Sequence, residues 1–288
     1  NLQKNSKMFD TRTPQARKDE LLHLDPIHSR ERSHEICGLM KLDLSKGQYE
    51  PKDQMEAVSM GTTLVAVTYD GGVILAADSR TSSGSYVHNR VANKCTKLAS
   101  RIYCGRSGSA ADTQSVAQAV AHYLMHQEMV EGKPPIVLTA AKITQRICYE
   151  NRSRILAGML IVGWDVVHGG QVFSIPPGGS LMEQDFAMSG SGSTYLYGWA
   201  DRHHRRGMSR DEALQFVREG VSHAIARDGF SGGVIRTVCI EKSGVMTDTL
   251  EWGLLPYALE RDQRFQEIRS VEANQTKDEK EMVQLRDV

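Results

Sequence analysis

No uninterrupted apolar run approaches the roughly 18 residues a helix needs to cross a bilayer, and the first residues are polar and charged where a secretory signal would be apolar. These absences predict a soluble, intracellular protein. Neither charge is in excess: Lys plus Arg and Asp plus Glu both number 35, so the overall balance does not argue for nucleic acid or an anionic membrane as partner. Paired cysteines are missing too. The 5 cysteines, Cys37, Cys95, Cys104, Cys148 and Cys239, are widely spaced with no Cys-x-x-Cys, which predicts free thiols in a reducing compartment and neither a disulfide framework nor a zinc site. No Gly-x-x-x-x-Gly-Lys or Gly-x-Gly-x-x-Gly string occurs, so phosphate-cradling loops have no support. His122 and His126 have the helical i, i+4 spacing, but Tyr123 stands where a zinc hydrolase would carry Glu, and we expect no metal and no cofactor. The run Arg202-His203-His204-Arg205-Arg206 reads as solvated charge near a helix C-terminus.

What is present suffices for one large domain with appendages, since 40% of the chain is apolar and 24% charged. Residues 1–32 are dense in charged side chains and poor in apolar ones, as is the segment 261–288, so neither is expected to form a core. Between them, strands lead into two helices (Ala111 to Val130 and about Thr139 to Arg154), then strands, two more helices (Ser193 to Arg206 and Arg210 to Arg227), then strands. Helices in pairs argue against a doubly wound parallel sheet and for two antiparallel sheets with helices packed outside, an α+β sandwich. Val87 to Cys95 and Lys97 to Tyr103 read as two strands, and Gly105 to Asp112 as a small-residue loop that opens the first helix.

The stretch from Gly61 to Lys94 organises the rest. Two β-branched runs, Thr62 to Tyr69 and Val73 to Ala77, flank Asp70-Gly71-Gly72, and Asp-Gly between such runs is a strong hairpin signal. A two-residue turn there pairs Tyr69 with Gly72, Val67 with Ile74 and Val65 with Ala76, and so places Asp78 opposite Thr63, one residue from Thr62. Cleavage of the Gly61–Thr62 peptide would then put a hydroxyl, a free amine and a carboxylate in one place. A threonine hydroxyl is a weak nucleophile that needs an adjacent base, and an amine on the same residue can serve.

The segments Thr62 to Lys94, Tyr103 to Thr113, Ser189 to Asp201 and Arg227 to Arg236 together resemble the catalytic β subunits of the eukaryotic 20S proteasome, most of all the caspase-like β1 type. The resemblance implies the N-terminal nucleophile hydrolase fold: a four-layer sandwich, two antiparallel β-sheets between two helical layers. It implies a leader (1–61) removed by self-cleavage at Gly61–Thr62 and a catalytic domain (62–260); the charged tail (261–288) is extra to the family pattern. By resemblance Thr62 is the nucleophile, Lys94 the ammonium beside it, Asp78 the carboxylate orienting Lys94, and Gly108 the oxyanion donor through its N–H; Ser191, Asp228 and Ser231 support the nucleophile. Arg106 would line the pocket for the residue before the cut and favour an acidic side chain, with Thr81, Ser82 and Ala92 also lining it. The implied activity is a threonine endopeptidase acting on unfolded polypeptides. Its implied partners are other α and β subunits in a heteromeric stack of rings, in cytoplasm and nucleus, with no nucleic acid and no membrane. Two other readings are a non-catalytic ring subunit, which would lack the nucleophile or the lysine, and a small-molecule amidohydrolase of the same fold.

Overall fold

The chain reverses at Asp70-Gly71, where the turn chemistry predicts. The computed structural model describes residues 61–251 and Leu254, all within the second of two units, Asn1–Glu56 and Ala57–Val288. The expected leader up to Gly61, Cys37 and the expected tail lie outside the described residues.

In chain order, strands β1 (Leu64–Tyr69), β2 (Gly72–Ala77), β3 (Thr81–Ser83), β4 (Tyr86–Asn89), β5 (Cys95–Ala99) and β6 (Ile102–Gly108) lead into helices α1 (Ala110–Glu131) and α2 (Val137–Glu150). Strands β7 (Ala157–Asp165), β8 (Gly169–Ile175), β9 (Met182–Glu183) and β10 (Phe186–Ser189) follow. A short 3-10 segment (Ser191–Tyr195), helices α3 (Tyr197–His203) and α4 (Arg210–Arg227), and strands β11 (Ile235–Glu241) and β12 (Gly244–Leu250) complete the described order. One five-stranded sheet runs β10-β1-β2-β11-β12 and a second β5-β6-β7-β8-β9, while β3 and β4 pair as a two-stranded ribbon, with every one of these pairings antiparallel.

Alternation along the strands builds the layers. Val65 and Val67 of β1 and Ile74 and Ala76 of β2 pack against Leu196, Phe216, Val217 and Val221 from the α3–α4 side. Their alternate neighbours Leu64, Ala66, Val73 and Leu75 face Leu160, Val162 and Val172 of the other sheet. The outer face of that sheet, with Ile102, Met159, Ile161 and Phe173, packs on Val116, Val120 and Leu124 of α1 and Ala140 and Ala141 of α2. The result is the expected four-layer order, helix, sheet, sheet, helix.

The helix ends follow from their caps. Ser109 caps α1, accepting from Asp112 N at 3.3 Å, and Gly132 closes it at φ 64°. Ser209 and Glu212 form a capping box on α4. The buried Asp165 of β7 accepts from Val137 N at 3.1 Å and so caps α2 from a distance; hydrogen bonds to the carboxylate keep it below the usual range against the opposing effect of burial.

Four expectations need correction. The expected strand Val87 to Cys95 ends at Asn89, and Lys97 to Tyr103 contains a turn at Ser100-Arg101 that separates β5 from β6. Gly105 to Gly108 is the end of β6 and not a loop. The helix expected from Ser193 is a 3-10 turn up to Tyr195 followed by a short α3.

Candidate active site

The β1–β2 register carries Asp78 to Thr63 as counted: Leu64 pairs with Ala77, Asp78 N donates to Thr63 O at 3.1 Å, and Thr63 N donates to Asp78 Oδ1 at 2.9 Å. The other carboxylate oxygen accepts from Arg80 N and Gly232 N, each at 3.1 Å. Asp78 is wholly buried, and four donors share its charge once Lys94 is added. Lys94 immediately precedes β5; its Nζ lies 2.8 Å from Asp78 Oδ1, 3.0 Å from Thr62 Oγ1 and 3.1 Å from Gly61 O. An ammonium has three protons, and these three acceptors take them all. Burial pulls the Lys94 ammonium below the ordinary lysine value, with the Asp78 carboxylate opposing part of that shift. Thr62 Oγ1 donates to the Gly61 carbonyl oxygen at 2.6 Å, so hydroxyl, lysine and the carbonyl of the Gly61–Thr62 peptide occupy one buried corner.

A second carboxylate lies on the other side of Thr62. Thr62 N donates to Ser191 Oγ at 3.2 Å, and Ser191 Oγ donates to Asp228 Oδ2 at 2.7 Å. Ser231 Oγ donates to the same oxygen at 2.6 Å, and Asp228 Oδ1 accepts from Phe230 N at 3.1 Å. The chain can approach this closely because the neighbours are glycines. A Cβ at Gly190, which has φ 89°, would collide with Thr62 O, and one at Gly192 with Thr63 Oγ1. The string Gly229-Phe230-Ser231-Gly232-Gly233 has the Gly-x-Ser-x-Gly spacing of a nucleophile elbow, but it connects helix α4 to strand β11, whereas an elbow runs from strand to helix. Ser231 is buried, with its proton spent on Asp228.

The structure thus brings Thr62, Asp78, Lys94, Ser191, Asp228 and Ser231 into one hydrogen-bonded group. Sequence reasoning did not assign roles to Thr63, Arg80 or Gly192, although the register count that located Asp78 already put Thr63 opposite it. Gly108 ends β6 at φ 97°, where a side chain would meet Leu156 O at 2.5 Å; among the described residues no hydrogen bond joins it to Thr62.

A family model for the proteasome subunit matches residues 58–240. The chain belongs to the proteasome subunit family. It is 48% identical over 201 residues, 69% of this chain and 94% of the relative, to the proteasome subunit beta type-6 of Dictyostelium discoideum. It is 45% identical over 188 residues, 65% of this chain and 87% of the relative, to the proteasome subunit beta type-1 of Saccharomyces cerevisiae. The fold and these relatives make it a β-type proteasome subunit, a class that assembles with other α and β subunits in the 20S core.

Around this proteasome site, Arg106 N donates to Lys94 O at 3.0 Å. The Arg106 side chain donates from Nε to Thr96 Oγ1 at 2.9 Å and from Nη2 to Asn93 O at 2.8 Å; both partners are neutral. Ala92 N donates to Ser79 O at 2.9 Å, which draws the Ala92–Lys94 segment to the start of β3, where Thr81 and Ser82 sit. The Ser82 hydroxyl is buried without a hydrogen-bond partner among the described residues.

Proposed function

We propose that this subunit is a threonine endopeptidase of the 20S core that frees its own nucleophile by cutting the Gly61–Thr62 peptide and then cleaves unfolded polypeptides after acidic residues. The observation that carries the proposal is Lys94 Nζ within 3.0 Å of Thr62 Oγ1 while held by a buried carboxylate. In the uncut chain the nitrogen of Thr62 is an amide and cannot act as a base, so the lysine amine takes that part. Neutral Lys94 accepts the Oγ1 proton as Oγ1 attacks the Gly61 carbonyl carbon; the C–N bond breaks, the proton passes to the departing nitrogen, and water hydrolyses the resulting ester. Gly61 suits this step because a Cβ there would collide with Phe230.

After the cut, the freed amine of Thr62 is itself a base. Its ordinary pKa of about 7.7 to 8.0 lies near working pH, and the adjacent lysine charge lowers it. Ser191 already faces that nitrogen. The N–H of Gly108 stabilises the tetrahedral oxyanion, a contact of the kind worth roughly 3 kcal/mol. Arg106, whose side chain is anchored through neutral partners, offers its remaining donors to an acidic side chain, and the unsatisfied Ser82 hydroxyl is available to the bound peptide. The residues up to Gly61 act as a leader that keeps the site latent, and the site works in cytoplasm and nucleus. The test is hydrolysis of a fluorogenic peptide with Glu before the cut by assembled cores. Thr62→Ala is expected to abolish this cleavage and Lys94→Arg to lower it by about 100-fold or more, because arginine cannot give up its proton. Cores with either substitution that cleave at the unsubstituted rate would overturn the proposal.

A further inference from the structure

Thr63 bonds one carboxylate of the site directly and reaches the other through Ser231, and counting protons gives its hydroxyl a direction. Its N–H donates to Asp78 Oδ1, and its Oγ1 lies 2.7 Å from Ser231 Oγ. A serine hydroxyl has one proton, and Ser231 gives it to Asp228 Oδ2. Ser231 therefore accepts from Thr63. From the opposite side, Thr62 N–H donates to Ser191 and Ser191 donates to the same Asp228 oxygen. Protons run inward from both ends: Thr63 through Ser231, and Thr62 through Ser191. Thr63 is wholly buried, and the Gly192 backbone closes off its hydroxyl so tightly that a Cβ there would collide with Oγ1.

We infer that Thr63 is a positioning residue for the hydrolysis proposed above: by donating to Ser231 it anchors the hydroxyl that shares Asp228 Oδ2 with Ser191, and so steadies the carboxylate oxygen that holds Ser191 as an acceptor for the nitrogen of Thr62. One N–H of the freed amine is then fixed on Ser191, and its lone pair has a defined orientation towards the hydroxyl it must deprotonate. Without the Thr63 proton, the Ser231 oxygen becomes a buried acceptor with that bond unmade, and Ser231 can shift on the Asp228 oxygen it shares with Ser191.

The inference rests on the proposed peptidase reading, and the test separates the two. Subunits are made with Thr62 exposed by removing an N-terminal fusion with a separate protease, so that self-cleavage is not required, and are assembled into 20S cores. Thr63→Val, which keeps the shape and removes the hydroxyl, is expected to lower kcat roughly tenfold, the scale of one lost buried hydrogen bond, with KM unchanged. Thr63→Ser is expected to restore kcat. Thr63→Ala repeats the test if the valine subunit does not assemble. Wild-type kcat in the variant without the hydroxyl, or equal impairment with serine and valine, overturns the positioning role. If the unsubstituted core with Thr62 exposed cleaves nothing, the peptidase reading fails first and takes this inference with it.

Discussion

Lys94 stands between two opposing influences, and its pH behaviour follows from their balance. Burial favours the neutral amine, while Asp78 at 2.8 Å favours the ammonium, and burial prevails. A lysine with a lowered pKa becomes neutral at lower pH, so the rate of self-cleavage should rise as pH climbs through that lowered value and level off below about 10.4, the ordinary lysine pKa. Across that same window the folded chain binds fewer protons at Lys94 than the unfolded chain does, so this group alone makes stability increase with pH. Asp78→Asn removes the influence that raises the pKa. The midpoint of the rate profile should then move further down while the maximum rate falls, and a midpoint that stays or moves up would contradict this balance. Arg106 makes a separate prediction: Arg106→Leu should cut cleavage after Glu by roughly tenfold, as expected for a lost charged hydrogen bond, and spare cleavage after apolar residues. Equal cleavage after Glu by both proteins would remove Arg106 from the pocket.

At the scale of elements, the Gly190–Ser193 turn brings Ser191 to Thr62. Gly192→Ala would force Thr63 Oγ1 and the Ala224 side chain of α4 outward. Misplacement by about 1 Å can cost on the order of 100-fold in rate, so we expect kcat to fall at least tenfold with KM little changed; steady-state kinetics on assembled cores check this. The β1–β2 hairpin and its register were legible because an Asp-Gly turn and a two-residue period leave one pairing that buries both runs. The end of β6 was not, because Gly105-Arg106-Ser107-Gly108 has loop composition. Tertiary packing makes it a strand: Leu75 and Leu64 from the facing sheet come within 3.1 and 3.2 Å of where a Gly105 Cβ would sit, so glycine there serves close approach of the sheets. The turn at Ser100-Arg101 contains no Gly, Pro, Asn or Asp to announce it. Asp228, Ser191 and Ser231 are distant in sequence from Thr62, and no local pattern joins them; only the family resemblance pointed to them before the structure brought them together.

At the scale of the molecule, the space between the two sheets supports the site, since the strand that starts beside Thr62 is buried on both faces. Leu160, fully buried in that layer, should cost about 2–5 kcal/mol of stability when replaced by alanine, read as a lower midpoint in chemical denaturation. Cys95, Cys104, Cys148 and Cys239 are buried free thiols. Burial pushes Cys95 and Cys104 up to about 12, so all four should resist alkylation at neutral pH until the fold opens. Strands, helices and glycine turns converge on one bond, the peptide between Gly61 and Thr62. The most direct measurement of its fate is the intact mass and N-terminal sequence of this subunit taken from native 20S core. A subunit that begins at Thr62 is the predicted result; one that still carries Gly61 and the residues before it would contradict the claim that Thr62 becomes the nucleophile.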